Sequence, residues 1–178
     1  TMNDPTEYIG MPHDEIDTPV LVVDLSALEF NIAKLADHFR QVGKSLRPHT
    51  KSHKTPSIAQ LQLDAGAQGI TCAKVGEAEA MAAAGIQDIL IANEVIGRRK
   101  IERLMELAAR CDIMVAVDDP RNLADLDAAA AVHKVRPRVL VEVNIGHNRC
   151  GVSPAAAVDL ARAATEAEHL RFRGLMGY

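Results

Sequence analysis

An α/β fold of the (β/α)8 TIM-barrel type is what this sequence predicts, and three observations carry it. Short apolar, β-branched runs alternate with helix-like segments along the whole chain. The runs recur about every 20–30 residues, the rhythm of a parallel sheet built from βα units. No strand-like run is followed by GxGxxG or by a P-loop, which weakens the doubly wound nucleotide-binding alternative and favours a barrel.

The first run, "PVLVVDL" (Pro19 to Leu25), reads as a leading strand. In "SALEFNIAKLADHF", Leu28, Ile32, Leu35, Ala36 and Phe39 recur on one helical face, and Ser26 with Glu29 spells a capping box. "SLRPHTK" is the next strand, leading to a helix opened by Thr55-Pro56 and closed at Gly66. "GITCAKV" precedes "GEAEAMAAAG", ended by Gly85, and "DILIANEV" precedes "KIERLMELAAR". "DIMVAVD" precedes a helix opened by Asp119-Pro120, and "RVLVEVNIG" one opened by Ser153-Pro154. The last run is "RFRGLMGY". Three helices thus pair a polar cap with proline in the first turn, where no N–H is needed. Two end in glycine, suited to a left-handed cap.

One leading strand plus six in the repeat amount to about six βα units. A full barrel needs eight units and about 250 residues. The sequence therefore predicts a partial barrel over residues 17–178, part of a longer polypeptide, preceded by an extended arm over residues 1–16 with Pro5, Gly10 and Pro12.

The chain has 178 residues, 48% hydrophobic and 25% charged, with net charge −4. This mildly acidic balance gives no support to nucleic-acid or membrane-surface binding. No apolar run approaches the roughly 20 residues that span a bilayer. Asp4, Glu7, Asp14 and Glu15 are unlike a signal peptide. Cys72, Cys111 and Cys150 form neither a CxxC pair nor a disulfide framework, which fits a reducing, cytoplasmic setting. Cys72 and Cys111 are read as buried small hydrophobes, and Cys150 as packing.

Chemistry concentrates in two stretches. In "SLRPHTK" the two-residue period sends Arg47, His49 and Lys51 to one face and Leu46, Pro48 and Thr50 to the other. With the second set facing the helices, the basic set points into the barrel, Lys51 nearest its C-terminal mouth. An inward lysine beside basic neighbours is desolvated and repelled as a cation, which lowers its pKa and makes it a carbonyl-directed nucleophile. Lys54 falls past the strand, at the surface beside Thr55. His53 stands between the two cases. Lys74 ends "GITCAK" in a comparable position, but Glu77 and Glu79 beside it favour a charged ammonium paired at the rim.

In "VEVNIGHNRCGVSP", Gly146 and Gly151 allow a tight loop that carries Arg149, whose fork of donors suits a phenolate, carboxylate or phosphate. Glu142 and Asn144 share an inward face, and Glu142 is placed to orient Arg149 by a charge-assisted pair. Tyr178 ends the last strand at the same mouth.

Taken in order, "DTPVLVVDLSALEFNI", "LRPHTKSHKTP", "GITCAKVGEAEAM", "NRCGV" and "GLMGY" resemble the D-threonine aldolase/D-serine dehydratase family from about Asp17 onward. These are fold-type III pyridoxal-phosphate enzymes with a barrel similar to the N-terminal domain of alanine racemase. The resemblance implies that Lys51 carries pyridoxal 5'-phosphate as an internal aldimine, with His49 as its companion. Arg149 is implied near the phenolic oxygen and Tyr178 near the pyridine nitrogen. It further implies a lyase acting on a small D-3-hydroxy amino acid. The leading expectation is retro-aldol cleavage to glycine and an aldehyde. A D-serine dehydratase-like ammonia-lyase and a non-catalytic cofactor-handling barrel stand as alternatives. Such relatives add two more barrel units and a β-domain whose ligands hold a divalent metal (Mn, Mg or Zn), so no metal ligand is assigned within these residues. Asn144 stands where many relatives have Asp. A homodimer in the cytoplasm completes the expectation.

Overall fold

The computed structural model describes residues 8–178; Pro5 and the other residues of the arm before Tyr8 lie outside it. The rest of the arm contains one short 3-10 turn, His13–Glu15. Five parallel strands form one sheet in sequential order: β1 (Ile70–Cys72), β2 (Asp88–Glu94), β3 (Asp112–Val117), β4 (Arg138–Val143) and β5 (Arg171–Gly177). Six helices accompany them: α1 (Leu25–Gln41), α2 (Pro56–Asp64), α3 (Val75–Ala83), α4 (Arg98–Ala108), α5 (Pro120–His133) and α6 (Pro154–Glu166). Each strand is bonded to the next in sequence, so neither reversal nor strand skipping occurs, as in a barrel wall and unlike a doubly wound sheet.

Proline sets three of the helix starts, two of them with a polar cap. Asp119 accepts from the Arg121 N–H at 2.7 Å and Ser153 Oγ from the Ala156 N–H at 3.3 Å, each followed by proline in the first turn. Thr55 precedes Pro56 but its hydroxyl donates to the His53 carbonyl at 2.7 Å instead of capping α2.

The main core lies between the sheet and its helices. Ile89, Ile91, Ile113, Val115, Val117, Val139 and Val141 present their outward sides to Met81, Leu104, Met105, Leu107, Leu126 and Leu160, all buried. Each such aliphatic side chain contributes about 1.5–3 kcal/mol by leaving water. The alternate residues of the same strands face the barrel interior: Leu90, Met114, Ala116 and the buried Arg138 and Glu142. Cys72 and Cys111 are buried as expected. Cys72 packs at 3.4 Å from Thr50 Oγ1, and burial pushes its thiol up to about 11.

Two expectations fail in the N-terminal region. The run Pro19 to Leu25 is not a strand: Val20, Leu21, Val22 and Val23 are 49–98% exposed and pair with no described strand. An apolar β-branched run needs a partner edge to become a strand, and none is bonded to it here. Helix α1 is capped not by a Ser26–Glu29 box but by Asp24, whose carboxylate accepts from the Ala27 N–H at 2.9 Å. Leu28, Ile32, Ala36 and Phe39 do share the half-buried face of α1, while Leu35 is exposed.

"SLRPHTK" takes part in the sheet through a single parallel bridge, His49 to Thr71. The Thr50 N–H donates to the Thr71 carbonyl at 2.8 Å and the Thr71 N–H to the Pro48 carbonyl at 2.7 Å. The chain then turns at once, the Lys54 N–H returning to the Thr50 carbonyl. Five strands and this bridged segment are the six units read from the sequence, and they form a partial barrel wall.

Candidate active site

Inward-facing residues sort by height along the strands. At the N-terminal ends, Asp88 of β2 takes a bidentate pair from Arg47, at 3.0 and 2.9 Å, and a second guanidinium from Arg138. Arg138 also reaches Asp112 Oδ1 at 2.7 Å. Burial alone would raise the Asp88 pKa, but the hydrogen bonds from Arg47 and Arg138 outweigh it and hold the carboxyl below its usual value. Gly69 is needed beneath this network, because a Cβ there would lie 2.1 Å from the Arg47 guanidinium. Arg47 therefore leaves the expected basic trio: it points inward, but at the closed end of the wall.

At the C-terminal ends the arrangement opens. His49, Lys51, Ala73, Ala92, Asn93, Arg149 and Cys150 line one cleft of about 380 Å³. Lys51 is exposed at its rim, so the described residues do not supply the burial that strand alternation predicts for it. His49 Nδ1 accepts from the Lys51 N–H at 3.2 Å, fixing the ring beside the amine. Burial first, and the Lys51 charge second, lower the His49 pKa and favour the neutral imidazole.

Arg149 comes from the β4–α6 loop. Asn144 organises that loop: its Oδ1 accepts from the N–H groups of Gly146, at 3.0 Å, and Asn148, at 3.2 Å. The loop returns to β4 through paired bonds between Val152 and residues 142 and 144. Gly151 has φ +93, and a Cβ would lie 2.7 Å from the Asn144 nitrogen, so glycine closes the loop. Asp118 holds the Gly151 N–H at 2.9 Å. Arg149 stands 5.6 Å over the Tyr178 ring, and His147 meets the same ring edge-on at 5.1 Å. Tyr178 thus joins the site through Arg149.

Several pairings differ from the sequence reading. Glu142, 4% exposed, does not pair with Arg149; its Oε1 accepts from the Cys150 thiol at 3.0 Å. Cys150 is therefore a hydrogen-bonding residue as well as packing. Glu77 and Glu79 do not hold Lys74. Glu77 accepts from the Ala73 N–H at 2.8 Å and pairs with Lys54 at 3.6 Å, while Glu79 binds Arg103. Lys74 is the exposed N-terminal cap residue of α3, in an outer cleft with Lys54. Lys54 lies at the surface as expected, and His53 accepts from the Thr55 N–H at 3.0 Å outside the main cleft.

Sequence reasoning missed Glu94 and His147. Glu94 closes β2 with a buried Oε1 that has no donor among the described residues. Burial first, then Asp118 and Glu142, raise its pKa to about 7. A carboxylate closing a strand whose middle is apolar was the available signal.

Lys51, His49 and Arg149 thus line one cleft beyond the strand C-termini of an ordered wall of parallel βα units, the face on which barrels of this class carry their reactive groups. The comparisons with known proteins narrow that class. Residues 23–178 match the family described as alanine racemase, N-terminal domain, and the chain belongs to that family. It is 44% identical over 172 residues to 3-hydroxy-D-aspartate aldolase of Paracoccus denitrificans, covering 95% of this chain and 44% of that protein. It is 43% identical over 175 residues to D-threonine aldolase of an Arthrobacter species, covering 98% and 46%. The crystal structure of D-threonine aldolase from Filomicrobium marinum superposes with a TM-score of 0.89 at 50% identity, covering 90% of this chain and 44% of that one. The chain spans less than half the length of these relatives. Among the described residues, no helix is long and apolar enough to cross a membrane.

Proposed function

We propose that the complete protein is a pyridoxal-phosphate-dependent lyase of D-3-hydroxy amino acids, acting by retro-aldol cleavage to glycine and an aldehyde. The observation that carries this reading is the convergence of Lys51, His49 and Arg149 on one cleft at the strand C-termini. The aldolase relatives at 43–44% identity support it.

The donor set fits the cofactor. Lys51 offers an accessible primary amine for its carbonyl carbon. Arg149 would hold its phenolic oxygen through guanidinium N–H groups, and Tyr178 would present a hydroxyl to the ring nitrogen. His49, favoured neutral, flanks the amine without adding a second positive charge. When bound, the cofactor supplies an electron-withdrawing ring that accepts the electron pair released at Cα. The chain's own part is to present Lys51 at the rim, to keep His49 fixed by the Lys51 N–H, and to carry Arg149 on a closed loop.

The same reading makes residues 17–178 the cofactor-binding barrel domain, with the arm before it. It places a divalent metal on residues outside this chain, and it takes the protein as a cytoplasmic homodimer with a small D-amino acid substrate. A dehydratase reading is supported by D-threo-3-hydroxyaspartate dehydratase of a Delftia species, 35% identical over 140 residues.

The two separate by product. With cofactor and divalent metal supplied, D-threonine is expected to yield glycine and acetaldehyde. Pyruvate and ammonia from D-serine, without glycine from D-threonine, would transfer the assignment to the dehydratase. Inertness towards both, and towards D-3-hydroxyaspartate, would overturn the lyase reading.

A further inference from the structure

The mouth of the wall holds three carboxyl groups, those of Asp118, Glu142 and Glu94. Asp118 accepts from the Gly151 N–H and Glu142 from the Cys150 thiol. Glu94 Oε1 is enclosed and accepts from nothing among the described residues. One carboxylate oxygen each of Glu94 and Glu142 and the Cys150 sulfur all lie within 4.8 Å of one another. Glu142 is 4% exposed, so it cannot relieve repulsion by turning into water.

Two enclosed acceptors side by side are unfavourable unless one becomes a donor. We propose that Glu94 and Glu142 share one proton, and that this singly charged pair, through the Cys150 thiol, positions the loop that presents Arg149 to the cleft. The proton converts one carboxyl into a donor for the other. It leaves Glu142 free to accept from Cys150, the neighbour of Arg149 in sequence. Burial, and Glu142 beside it, keep the Cys150 thiol protonated and able to donate. The direction of the Glu94 shift agrees with this arrangement.

The groups facing the pair from other elements are Asp118 beyond β3, Cys150 and Arg149 on the loop, and His49 and Lys51 across the cleft. The proposal rests on the cofactor reading only where Arg149 is concerned. Glu94, Glu142 and Cys150 are positioning residues; none is assigned contact with substrate.

Two measurements on the complete protein test it. The first is the thermal midpoint without cofactor, from pH 4.5 to 8, of the parent, Glu94→Gln and Glu94→Ala. Glu94 holds its proton in the folded state to a higher pH than in the unfolded chain. The stability it lends is therefore present at low pH and lost as pH rises through the interval from about 4.5 to about 7. Glutamine keeps a donor and cannot ionise. The midpoint of either variant minus that of the parent should rise across this interval, by about 2–4 °C, since neither side chain ionises, with alanine lying below glutamine at every pH because it leaves Glu142 without a donor. A difference that does not change with pH would overturn the shared proton.

The second is pyridoxal-phosphate affinity at pH 7 for Cys150→Ala and Cys150→Ser. Loss of the thiol donor should weaken affinity about three- to tenfold, and serine, which can donate to Glu142, should restore it. Equal behaviour of the two variants would overturn the link to Arg149. Absence of binding by the parent itself would overturn the cofactor reading and the Arg149 link together, while the thermal comparison would still decide the pair.

Discussion

The two ends of the barrel wall handle charge in opposite ways. At the N-terminal ends of the strands, Arg47, Asp88, Arg138 and Asp112 neutralise one another in a network in which Arg47 and Arg138 are 15% and 8% exposed. At the C-terminal ends, Glu94 and Glu142 form no ion pair among the described residues, and Lys51 and Arg149 stand exposed with no carboxylate in salt-bridge contact among them. One end satisfies its charges internally and contributes rigidity. The other leaves cations available to a ligand and carboxyl groups that need a proton. Barrel enzymes place stability and chemistry at these same two ends.

The contrast can be broken by mutation, and the largest effect belongs to the mouth. Lys51→Ala in the complete protein should reduce D-threonine cleavage to background while leaving the thermal midpoint nearly unchanged, since an exposed side chain is removed. Next comes Asp88→Ala at the closed end, which strands the Arg47 guanidinium and leaves Arg138 with Asp112 alone. It should cost about 3–5 kcal/mol of stability, read by urea denaturation, with substrate affinity spared in whatever fraction stays folded. Arg149→Ala should do the reverse, weakening cofactor binding about 10- to 100-fold through loss of charge-assisted bonds. The smallest effect is that of Asn144→Ala, about 1 kcal/mol, because loop bonds to Gly146 and Asn148 are lost at an exposed site.

The two ends should also differ in the sign of their pH dependence. The Asp88 pKa is lowered in the folded state, so its contribution is present above the unfolded value and lost as pH falls through the folded one. Asp88→Asn should therefore remove stability at neutral pH but change little at the acid extreme. A common sign of pH dependence for Asp88 and Glu94 variants would contradict the division drawn between the ends.

Most of the repeat was legible in the sequence because period and punctuation agreed. β2, β3 and β4 start where "DILIANEV", "DIMVAVD" and "RVLVEVNIG" start, and β5 spans Arg171–Gly177. The helices opened by Pro56, Pro120 and Pro154 begin at those prolines. The run Pro19 to Leu25 misled because periodicity reports which side chains are apolar, not whether an edge is present to pair with. Lys51, His49 and Arg149 were legible as candidates from strand alternation and loop glycines. Their partners were not, since Glu142 meets Cys150 and Arg47 meets Asp88 through register between strands, which no local pattern encodes. Strands that open on Asp88, Asp112 and Arg138 did carry a hint, as opposite charges at matching strand ends suit a closed network.

The central claim is that Lys51, and not Lys74, is the amine that takes the cofactor. The most direct measurement is the visible absorbance of the lysine-linked cofactor in the complete protein, recorded for the parent, Lys51→Ala and Lys74→Ala after equilibration with pyridoxal phosphate. The account predicts loss of the band in Lys51→Ala and its retention in Lys74→Ala. Retention in the first, or loss in the second alone, would contradict it.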